Sequence, residues 1–386
     1  MGVRSGLVVL APIAPAPTGN GLAMRTDLFR RAASSEFDVR TIVVPVAGSL
    51  PTDVETSPHL TVARHAGTKA DALRLLADPV WRDRLTRAGT LPARVASPAL
   101  AEAVADAVGG PVRALHVMRS YLAPLGAMVA ELLDVAWATL DLDEDDAVLA
   151  TPEEAAAYDR LLATFGPLFD GLSAASAAEA DAIGRRHGLD VACLPNAVDV
   201  PAETTRPSRS TGSLLFVGNL TYLPNLEASR TLVREVLPAL GPSARVALVG
   251  LHDGRVDRLA AANVEVAGFV TDIAGAYAAA DVVVAPLRTG AGTRLKLLEA
   301  FAHRVPVVAT PVAAAGLDCE PGRHLLIAGD AAGLAAAVDR LLTDDALGRR
   351  LAEAAYDLVC RRYSTDVVLP AIREFFDRAA GRRQPA

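Results

Sequence analysis

Short apolar runs alternate with longer helical segments along the whole chain. Residues 7–10 and 39–46 each indicate a buried strand, and residues 22–34 between them have the apolar spacing of a helix. Strands of a parallel sheet are covered by helices on both faces, so their sequences are apolar throughout rather than alternating. The pattern therefore predicts parallel βαβ units and an α/β fold.

The same two kinds of segment continue to the end of the chain. In the first half we predict strands at residues 115–118, 136–141 and 191–194, with a short strand and helix before the last. We also predict a helical stretch within 68–108 that breaks near Pro92 and Pro98, and helices at 122–133 and 151–169, the second capped by Thr151. In the second half we predict strands at 214–217, 246–249, 264–266, 282–285, 307–309 and 325–327, and helices at 226–240, 273–279, 293–303, 332–342, 345–362 and 367–379.

The chain is long enough for two domains. It has 386 residues, and an average domain has about 150. We predict a Rossmann-like domain at residues 1–200, a polar linker at 201–212 and a second Rossmann-like domain at 213–364. A C-terminal helix at 365–386 could pack back on the first domain. With two doubly wound domains, the ligand is expected in the cleft between them.

Charge and composition disfavour several other classes of protein. Lys and Arg number 38 against 45 for Asp and Glu, a net charge of −7, so no global positive footprint for nucleic acid exists. Cys193, Cys319 and Cys360 lack metal-ligand spacing and indicate a reducing compartment. The sequence has no apolar run of the roughly 18 residues that a membrane span needs. The N-terminus imitates a signal peptide, but Pro12 and Pro15 interrupt it, so we expect a cytoplasmic protein.

Lysine is rare, and one of the two lysines lies in the densest motif of the chain. Lys69 and Lys296 are the only lysines among 38 basic residues. Residues 285–302 predict a buried strand, a loop that contains Gly290 and Gly292, and a helix that begins just after them. N–H groups in a first helical turn have no partners within the helix and suit a diphosphate.

Lys296 and Glu299 are three residues apart and share one face of this helix. A cation for phosphate and a carboxylate for ribose hydroxyls are the groups that a nucleotide diphosphate would need. The alternative is an ordinary surface pair, which is worth only about 0.2–0.5 kcal/mol. The scarcity of lysine and the two preceding glycines favour the site.

Residues 292–310 resemble the signature of the retaining GT-B glycosyltransferases of family four. The resemblance extends to residues 215–225, which match the first phosphate-approaching loop of the family, and to residues 264–272, which match the segment that holds the nucleotide base. Residues 195–199 match the sequence that closes the first domain. The resemblance is strong over residues 214–328 and weaker, though collinear, over the N-terminal half.

The resemblance implies a GT-B fold with an acceptor-side domain first and a nucleotide-sugar-binding domain second. It implies transfer of a sugar from a nucleotide-diphosphate donor to an acceptor, with retained anomeric configuration, no metal and no cofactor. The catalytic residues expected from it are His116, Arg119, Arg294, Lys296 and Glu299. The expected donor-binding residues are Gly19, Gly21, Gly218, Asn219, Phe269, Val270, Gly290, Ala291, Gly292, Thr293 and Glu299.

One position departs from the family pattern. Family members commonly carry two glutamates with seven residues between them; the second aligns with Glu299, and the first falls on Ala291. In the family the first glutamate helps to hold the donor sugar, so this chain is expected to grip the sugar differently, through backbone groups of residues 290–293. The motif resembles the branch that reads Gly-x-Gly-Thr-x-x-Lys-x-Leu-Glu-Ala.

Polar residues of the first half have a structural interpretation beside the functional one. Gly19 and Gly21, with Arg25 nearby, form either an ordinary tight turn or the loop that faces the donor phosphates in the family. They do not complete a Gly-x-Gly-x-x-Gly dinucleotide fingerprint. His116 and Arg119 have the same two interpretations, a structural role and a catalytic one, because a histidine at a strand end is often structural.

Two further segments have weaker functional interpretations. The acidic loop at residues 141–146 could bind a cation, but it lacks the Gly turn and terminal glutamate of a calcium loop, so solvated surface is expected. Residues 81–87 could touch a membrane or a lipid-linked acceptor. Asp78 and Asp83 dilute their positive charge, so peripheral membrane contact is not favoured.

The expected partners are a nucleotide-sugar donor and an acceptor, with no nucleic acid. The acceptor stays open among polysaccharides, lipid-linked compounds and small natural products. The alternatives to a transferase are a catalytically silent GT-B homologue that acts as a partner subunit, which would explain Ala291, and a GT-B sugar-nucleotide epimerase. A nicotinamide-dependent oxidoreductase is disfavoured because the dinucleotide fingerprint is missing.

Overall fold

The chain divides into two compact units. A computed structural model describes residues 4–45, 59–62, 69–89, 96–148, 150–202, 211–290 and 295–382. The first unit comprises Met1–Pro17, Leu22–Pro195 and Leu369–Ala386, and the second comprises Thr18–Gly21 and Asn196–Val368. Most of the stretch predicted as a linker, residues 203–210, lies outside the described residues, as does the break predicted near Pro92.

The first unit is built on a parallel sheet. Its described strands are β1 (Gly6–Ala11), β2 (Asp38–Val43), β3 (Leu60–Val62), β4 (Val112–Met118), β5 (Trp137–Asp141), β6 (Gly171–Ala174) and β7 (Val191–Cys193). They lie in the order β3-β2-β1-β4-β5-β6-β7, and every described pairing is parallel. Residues 7–11 of β1 are all buried, which explains why this strand is a continuous apolar run.

Helices connect the strands of the first unit. They are α1 (Gly21–Ala33), α2 (Lys69–Ala77), α3 (Pro79–Ala88), α4 (Pro98–Val108), α5 (Ala123–Leu133), α6 (Pro152–Phe165) and α7 (Ala177–His187). The start of α6 is fixed by a capping box. The Glu154 N–H donates to the Thr151 hydroxyl, and the Thr151 N–H donates to the Glu154 carboxylate at 3.0 Å. Thr151 is therefore the cap, as the sequence predicts.

The second unit repeats this architecture. Its described strands are β8 (Ser213–Val217), β9 (Arg245–Val249), β10 (Val264–Gly268), β11 (Val282–Ala285), β12 (Val307–Ala309) and β13 (Leu326–Ile327), all parallel, in the order β10-β9-β8-β11-β12-β13. Its helices are α8 (Leu223–Thr231), α9 (Ile273–Ala278), α10 (Leu295–Ala302), α11 (Pro311–Ala314), α12 (Ala331–Thr343), α13 (Asp345–Arg362) and the start of α14 (Thr365–Arg382). Among the described helices, none has both the length and the hydropathy that a bilayer-crossing segment needs.

The final helix, α14, belongs mostly to the first unit, which takes its residues from Leu369 onward. The Phe376 ring lies 5.6 Å from the Trp137 ring and 5.4 Å from the His116 ring, between centroids. Near the end of the helix, Arg382 Nη2 donates to Asp190 Oδ2 at 2.6 Å. Aromatic burial therefore stabilises the contact of α14 with the first sheet, and the exposed ion pair adds little to it.

The strand order reverses between β1 and β4 in the first sheet and between β8 and β11 in the second. Loops that leave the carboxyl ends of such neighbouring strands run in opposite directions and leave a crevice, which is where open α/β sheets bind ligands. In the second unit these two loops begin at Gly218 and Pro286.

Several elements differ from the sequence prediction. The helix predicted over 226–240 is α8 only to Thr231; a π-helical segment at Leu232–Val236 and a 3-10 turn at Leu237–Ala239 follow, where Pro238 has no N–H to continue the ladder. The strand predicted over 39–46 ends at Val43. β3 was not predicted, because three half-buried residues carry too little periodicity.

Candidate functional site

Gly218 lies at the crevice of the second sheet, directly after β8. A Cβ atom added at Gly218 would lie 2.8 Å from Lys296 Nζ and 3.0 Å from Asn225 Cγ. Real Cβ atoms do not approach other heavy atoms so closely. Gly218 therefore lets a lysine side chain from another element lie directly against the backbone of the β8 loop.

Lys296 reaches this position from α10. Its Nζ donates to Asn225 Oδ1 at 2.7 Å and lies 4.4 Å from the centroid of the Phe216 ring, a cation–π contact. The side chain is partly buried. The lysine that the sequence singled out thus has its ammonium group at the reversal point between β8 and β11, where a compact positive charge suits a phosphate.

Glu299 lies one turn further along α10, on the same face. Its Oε2 accepts a hydrogen bond of 2.8 Å from the hydroxyl of Tyr277, which is fully buried and stacks on His303 with 4.9 Å between ring centroids. Burial raises the pKa of Glu299, whereas the Tyr277 hydrogen bond and the charge of Lys296 oppose that rise. The carboxylate is therefore held in one orientation, and its pKa depends on the nearby charge of Lys296.

The loop before α10 is described only in part. Gly290 has φ 124°, a conformation that side chains rarely adopt, so glycine is needed there. Ala291, Gly292, Thr293 and Arg294 lie outside the described residues. Their predicted contributions to the donor site and to catalysis stay predictions.

Asn219 organises the β8 loop. Its Oδ1 accepts from the Thr221 N–H at 3.0 Å and from the Thr221 hydroxyl at 2.8 Å. Its backbone carbonyl accepts from Asn225 Nδ2 at 2.9 Å. The Asn219 side chain therefore holds the conformation of the loop. The donor contact that we predict for Asn219 would be made by the loop that it shapes.

Phe269 and Val270 follow the end of β10. The Phe269 side chain is 60% exposed, and Val270 is half-buried. Leu251, which follows β9, is 57% exposed. β9 and β10 are neighbours, and the Gly250 N–H donates to the Gly268 carbonyl at 2.8 Å. Two large apolar side chains thus lie exposed at adjoining strand ends of the second sheet.

His116 lies in the core of the first unit. It is fully buried in β4, its ring stacks on Phe29 with 4.2 Å between centroids, and its Nδ1 is 2.9 Å from Thr139 Oγ1. The pKa of His116 is lowered to about 4, mainly by burial; the charge of Asp141 opposes this shift and that of Arg25 adds to it. This placement favours a structural role for His116 over the catalytic role that the sequence suggested.

The glycine loop after β1 leads into α1, which begins at Gly21; Gly19 has φ 98°. Arg25, one turn later, is fully buried and forms two hydrogen bonds of 2.7 Å to the carboxylate of Asp141. Ser173 Oγ donates to the same carboxylate at 2.7 Å. Arg25 therefore fixes α1 to the end of β5, and its charge is already paired within the protein.

Arg119 lies at the end of β4 in a left-handed conformation, with φ 76°. Its Nη1 donates to Asp143 Oδ2 at 3.2 Å and to Glu144 Oε1 at 3.0 Å, and its Nη2 donates to Asp146. It is 8% exposed. Like Arg25, Arg119 is bound by carboxylates of the protein, which favours a structural role over the predicted catalytic one.

The expectation that the loop at 141–146 is solvated surface is wrong. Asp141 is fully buried, Asp145 is 8% exposed, and the loop binds Arg25, Arg119 and Arg186, which come from separate elements. Burial raises the pKa of Asp143 to about 6, against the opposing charges of Arg25 and Arg119. Within the described ranges, no three His, Cys, Asp or Glu residues are arranged to hold a metal ion.

Sequence reasoning did not include Asn225 and Tyr277 among the site residues. Asn225 follows a Gly-Asn loop in the first turn of α8, a position where its amide could have been expected to face that loop. Tyr277 is an aromatic residue in a short Ala-rich helix, and such residues are usually core. It is core, but its hydroxyl is the partner of Glu299.

Residues 211–344 match the sequence model of the family described as Glycosyl transferases group 1. Over these residues the chain is similar to that family. The contacts of Lys296 and Glu299 described above all lie within the matched range. The phosphatidyl-myo-inositol mannosyltransferase of Mycobacterium leprae (strain TN) is 30% identical over 209 residues, which are 50% of this chain and 55% of that protein. The chain spans 14% and 55% of the length of two curated relatives that it matches.

Solved structures share the fold of nearly the whole chain. A glycosyltransferase from Rickettsia africae ESF-5 has a TM-score of 0.69 at 14% identity, over 97% of this chain and 98% of that chain. Anabaena Alr3699/HepE, in complex with UDP and glucose, has a TM-score of 0.69 at 15% identity, over 96% of this chain and 99% of that chain. The two Rossmann-like units are therefore those of the GT-B class, as predicted.

Proposed function

We propose that this chain is a glycosyltransferase that takes its sugar from a nucleotide-diphosphate donor. The observation that carries the proposal is the ammonium group of Lys296, which lies against Gly218 at the crevice of the second sheet, one turn before Glu299. The family match of residues 211–344 supports the proposal, as does the UDP bound to the similar Anabaena protein.

Lys296 supplies the positive charge that a departing nucleoside diphosphate needs. In the proposed reaction the bond between the anomeric carbon and the diphosphate oxygen breaks, and an acceptor oxygen forms the new bond to that carbon. The acceptor proton passes to the leaving phosphate, so no carboxylate nucleophile is required. A fixed ammonium group stabilises the charge that develops on the leaving oxygen. Retention of configuration, without a metal or cofactor, is part of this proposal.

Glu299 is assigned to the ribose of the donor. Its Oε2 is held by Tyr277, and no hydrogen bond joins its Oε1 to another residue of the described chain. Carboxylate oxygens accept hydrogen bonds from hydroxyl groups. Oε1 is thus the atom proposed to accept from a ribose hydroxyl.

The exposed apolar edge formed by Leu251 and Phe269 is assigned to the nucleobase, with Val270 beside it. An apolar platform binds the face of any base, so this assignment does not choose among uracil, guanine, adenine and thymine. The acceptor is proposed to be a polysaccharide, a lipid-linked compound or a small natural product. A cytoplasmic location and the lack of a nucleic acid partner belong to the same proposal, in line with the net charge of −7.

Binding is tested first, by thermal unfolding with UDP, GDP, ADP and dTDP. A ligand that binds only the folded state raises Tm by mass action, so the base that binds is identified directly. Sugar nucleotides of that base are then screened for release of the nucleoside diphosphate with and without acceptors. Binding without hydrolysis or transfer across the panel would support the catalytically silent homologue instead, and no binding at all would refute the site.

Variants test the residues. Lys296→Gln and Glu299→Gln should each lower kcat/KM by at least about tenfold, the scale of a charge-assisted hydrogen bond. Arg349→Gln removes a charge from an exposed pair with Asp345 on α13 and should change kcat/KM by less than about twofold. Normal transfer by both site variants would refute the assignment of the site.

A further inference from the structure

The amide group of Asn225 joins two segments of the crevice in the second unit. Its Oδ1 accepts from Lys296 Nζ at 2.7 Å, and its Nδ2 donates to the Asn219 carbonyl at 2.9 Å. An amide carries a donor and an acceptor on one planar group, so it can make both bonds at once. Neither a carboxylate nor an aliphatic side chain of this size can do so. Asn225 therefore ties the lysine of α10 to the loop that follows β8.

The bond to Asn225 restricts a side chain that is otherwise flexible. A lysine has four rotatable bonds in its stem, and holding its ammonium group in one place costs conformational entropy. In this structure the ammonium group lies between the Asn225 oxygen, the Phe216 ring and the Gly218 backbone. The ordering thus takes place on folding, before a ligand arrives, and a preorganised charge binds and stabilises an anion better than a mobile one.

Asn225 is also a neutral partner of Lys296. An amide oxygen orients the ammonium group but carries no charge to cancel its own. A carboxylate at the same distance would form an ion pair with Lys296 and remove most of its attraction for a phosphate. An asparagine here adds no negative charge beside the ammonium group, whereas an aspartate of similar shape would.

We propose that Asn225 is a positioning residue for the donor diphosphate, which it serves by holding the Lys296 ammonium group and the Gly218–Asn219 loop in one arrangement. The proposal rests on the proposed nucleotide-diphosphate site. It adds that the affinity for the phosphate part of the donor depends on Asn225, whereas the affinity for the nucleoside part does not.

The experiment compares binding of a nucleoside diphosphate with binding of its own nucleoside, by titration calorimetry on the full chain. The probe is whichever of UDP, GDP, ADP and dTDP binds the wild type. Asn225→Asp should lower the affinity for the diphosphate by at least about thirtyfold, and Asn225→Ala should lower it by about tenfold. The affinity for the nucleoside should stay within twofold of the wild type. Asn263→Asp is the matched control, because the Asn263 side chain is exposed and donates to the Ala244 carbonyl of the same unit.

A double-mutant cycle separates positioning from a structural effect. In a Lys296→Gln background, Asn225→Ala should lower the affinity for the diphosphate by less than threefold, because the ammonium group that Asn225 positions is gone. The proposal would be overturned if the Asn225 variants lost affinity equally for the diphosphate and the nucleoside. It would also be overturned if Asn225→Ala lowered the diphosphate affinity by a full tenfold in the Lys296→Gln background. If the wild type binds none of the four diphosphates, the proposed function itself fails. If it binds one and the Asn225 variants bind it normally, only this inference fails.

Discussion

The Tyr277 hydroxyl donates a hydrogen bond of 2.8 Å to Oε2 of Glu299, across 22 residues of sequence. The phenol is buried and stacked on His303, and its oxygen also lies 3.4 Å from the Lys296 carbonyl, so the ring holds the hydroxyl beside α10. One oxygen of Glu299 is thereby fixed, and the orientation of the other follows. The carboxylate proposed for the ribose is aimed by a core residue.

Tyr277→Phe removes this hydrogen bond and keeps the ring. Hydrogen bonds to charged groups contribute about 1.5–3 kcal/mol, and here the bond favours the ionised carboxylate. Burial already raises the pKa of Glu299, and loss of the Tyr277 hydrogen bond, which opposes that rise, should raise it further. Donor binding needs the ionised form, and it should therefore be lost at a higher pH than in the wild type.

The measurement is the affinity for the bound nucleoside diphosphate from about pH 5 to pH 8. Tyr356→Phe is the control, since that ring lies on α13 beneath the Arg304 guanidinium, 3.5 Å from it, and does not touch Glu299. Coincident pH profiles for Tyr277→Phe and wild type would mean that Tyr277 has no influence on the ionisation of Glu299.

Gly218→Ala tests the close approach of Lys296 to the β8 loop. The added Cβ would lie 2.8 Å from Lys296 Nζ and 3.0 Å from Asn225, both ends of side chains that can move. We expect nucleoside diphosphate affinity to fall by at least about tenfold, while the free energy of unfolding falls by only about 1 kcal/mol. Gly241→Ala, where nothing lies within 4 Å of the added atom, should change neither. Unaltered affinity in Gly218→Ala would show that Lys296 does not need its observed position.

Elements whose sequence signals are local could be predicted closely. β11 and α13 lie at the predicted residues: β11 is an uninterrupted apolar run, and α13 begins after Asp344, whose side chain caps it. The crevice residues Lys296 and Glu299 could also be predicted, because their three-residue spacing on a helix fixes their common face.

Contacts that depend on distant elements could not be predicted. Arg25 and Asp141 are 116 residues apart, and nothing in either neighbourhood identifies the other as its partner. The acidic loop at 141–146 has the composition of solvated surface, and only the fold brings three arginines to it. For the same reason Asn225 and Tyr277, far from α10 in sequence, were not recognised as partners of its side chains.

The buried pair of Arg25 and Asp141 should be costly to break on one side. Arg25→Met leaves the fully buried carboxylate of Asp141 without its cationic partner. The carboxylate keeps the hydrogen bond from the Ser173 hydroxyl. We expect the free energy of unfolding of the first unit to fall by about 3–5 kcal/mol. The double variant Arg25→Met with Asp141→Leu removes both charges. Its free energy of unfolding should fall by less than that of Arg25→Met alone.

Tryptophan fluorescence during urea unfolding measures this effect for the first unit alone. The chain has two tryptophans, Trp81 and Trp137, and both belong to that unit. Arg87→Met, which breaks an exposed pair with Asp83, is the control and should cost less than about 1 kcal/mol. Equal losses for Arg25→Met and the double variant would mean that the charge of Asp141 is not what destabilises the single variant.

Asp143 gives the first unit a pH-dependent stability. Burial raises its pKa to about 6 from an ordinary 3.8, against the charges of Arg25 and Arg119. The folded state then binds the proton more tightly than the unfolded chain does. The stabilisation from this group is therefore complete below about pH 4 and is lost as the pH rises to about 6.

Asp143→Asn removes this titration. Relative to the wild type, the free energy of unfolding of the variant should rise by on the order of 2 kcal/mol between about pH 4 and pH 6, and then stay level to about pH 8. Urea unfolding followed by tryptophan fluorescence at half-unit pH steps measures the difference. A difference that is constant across this range would mean that Asp143 takes up its proton at the same pH in the folded and unfolded chains. In that case Arg25 and Arg119 together offset its burial completely.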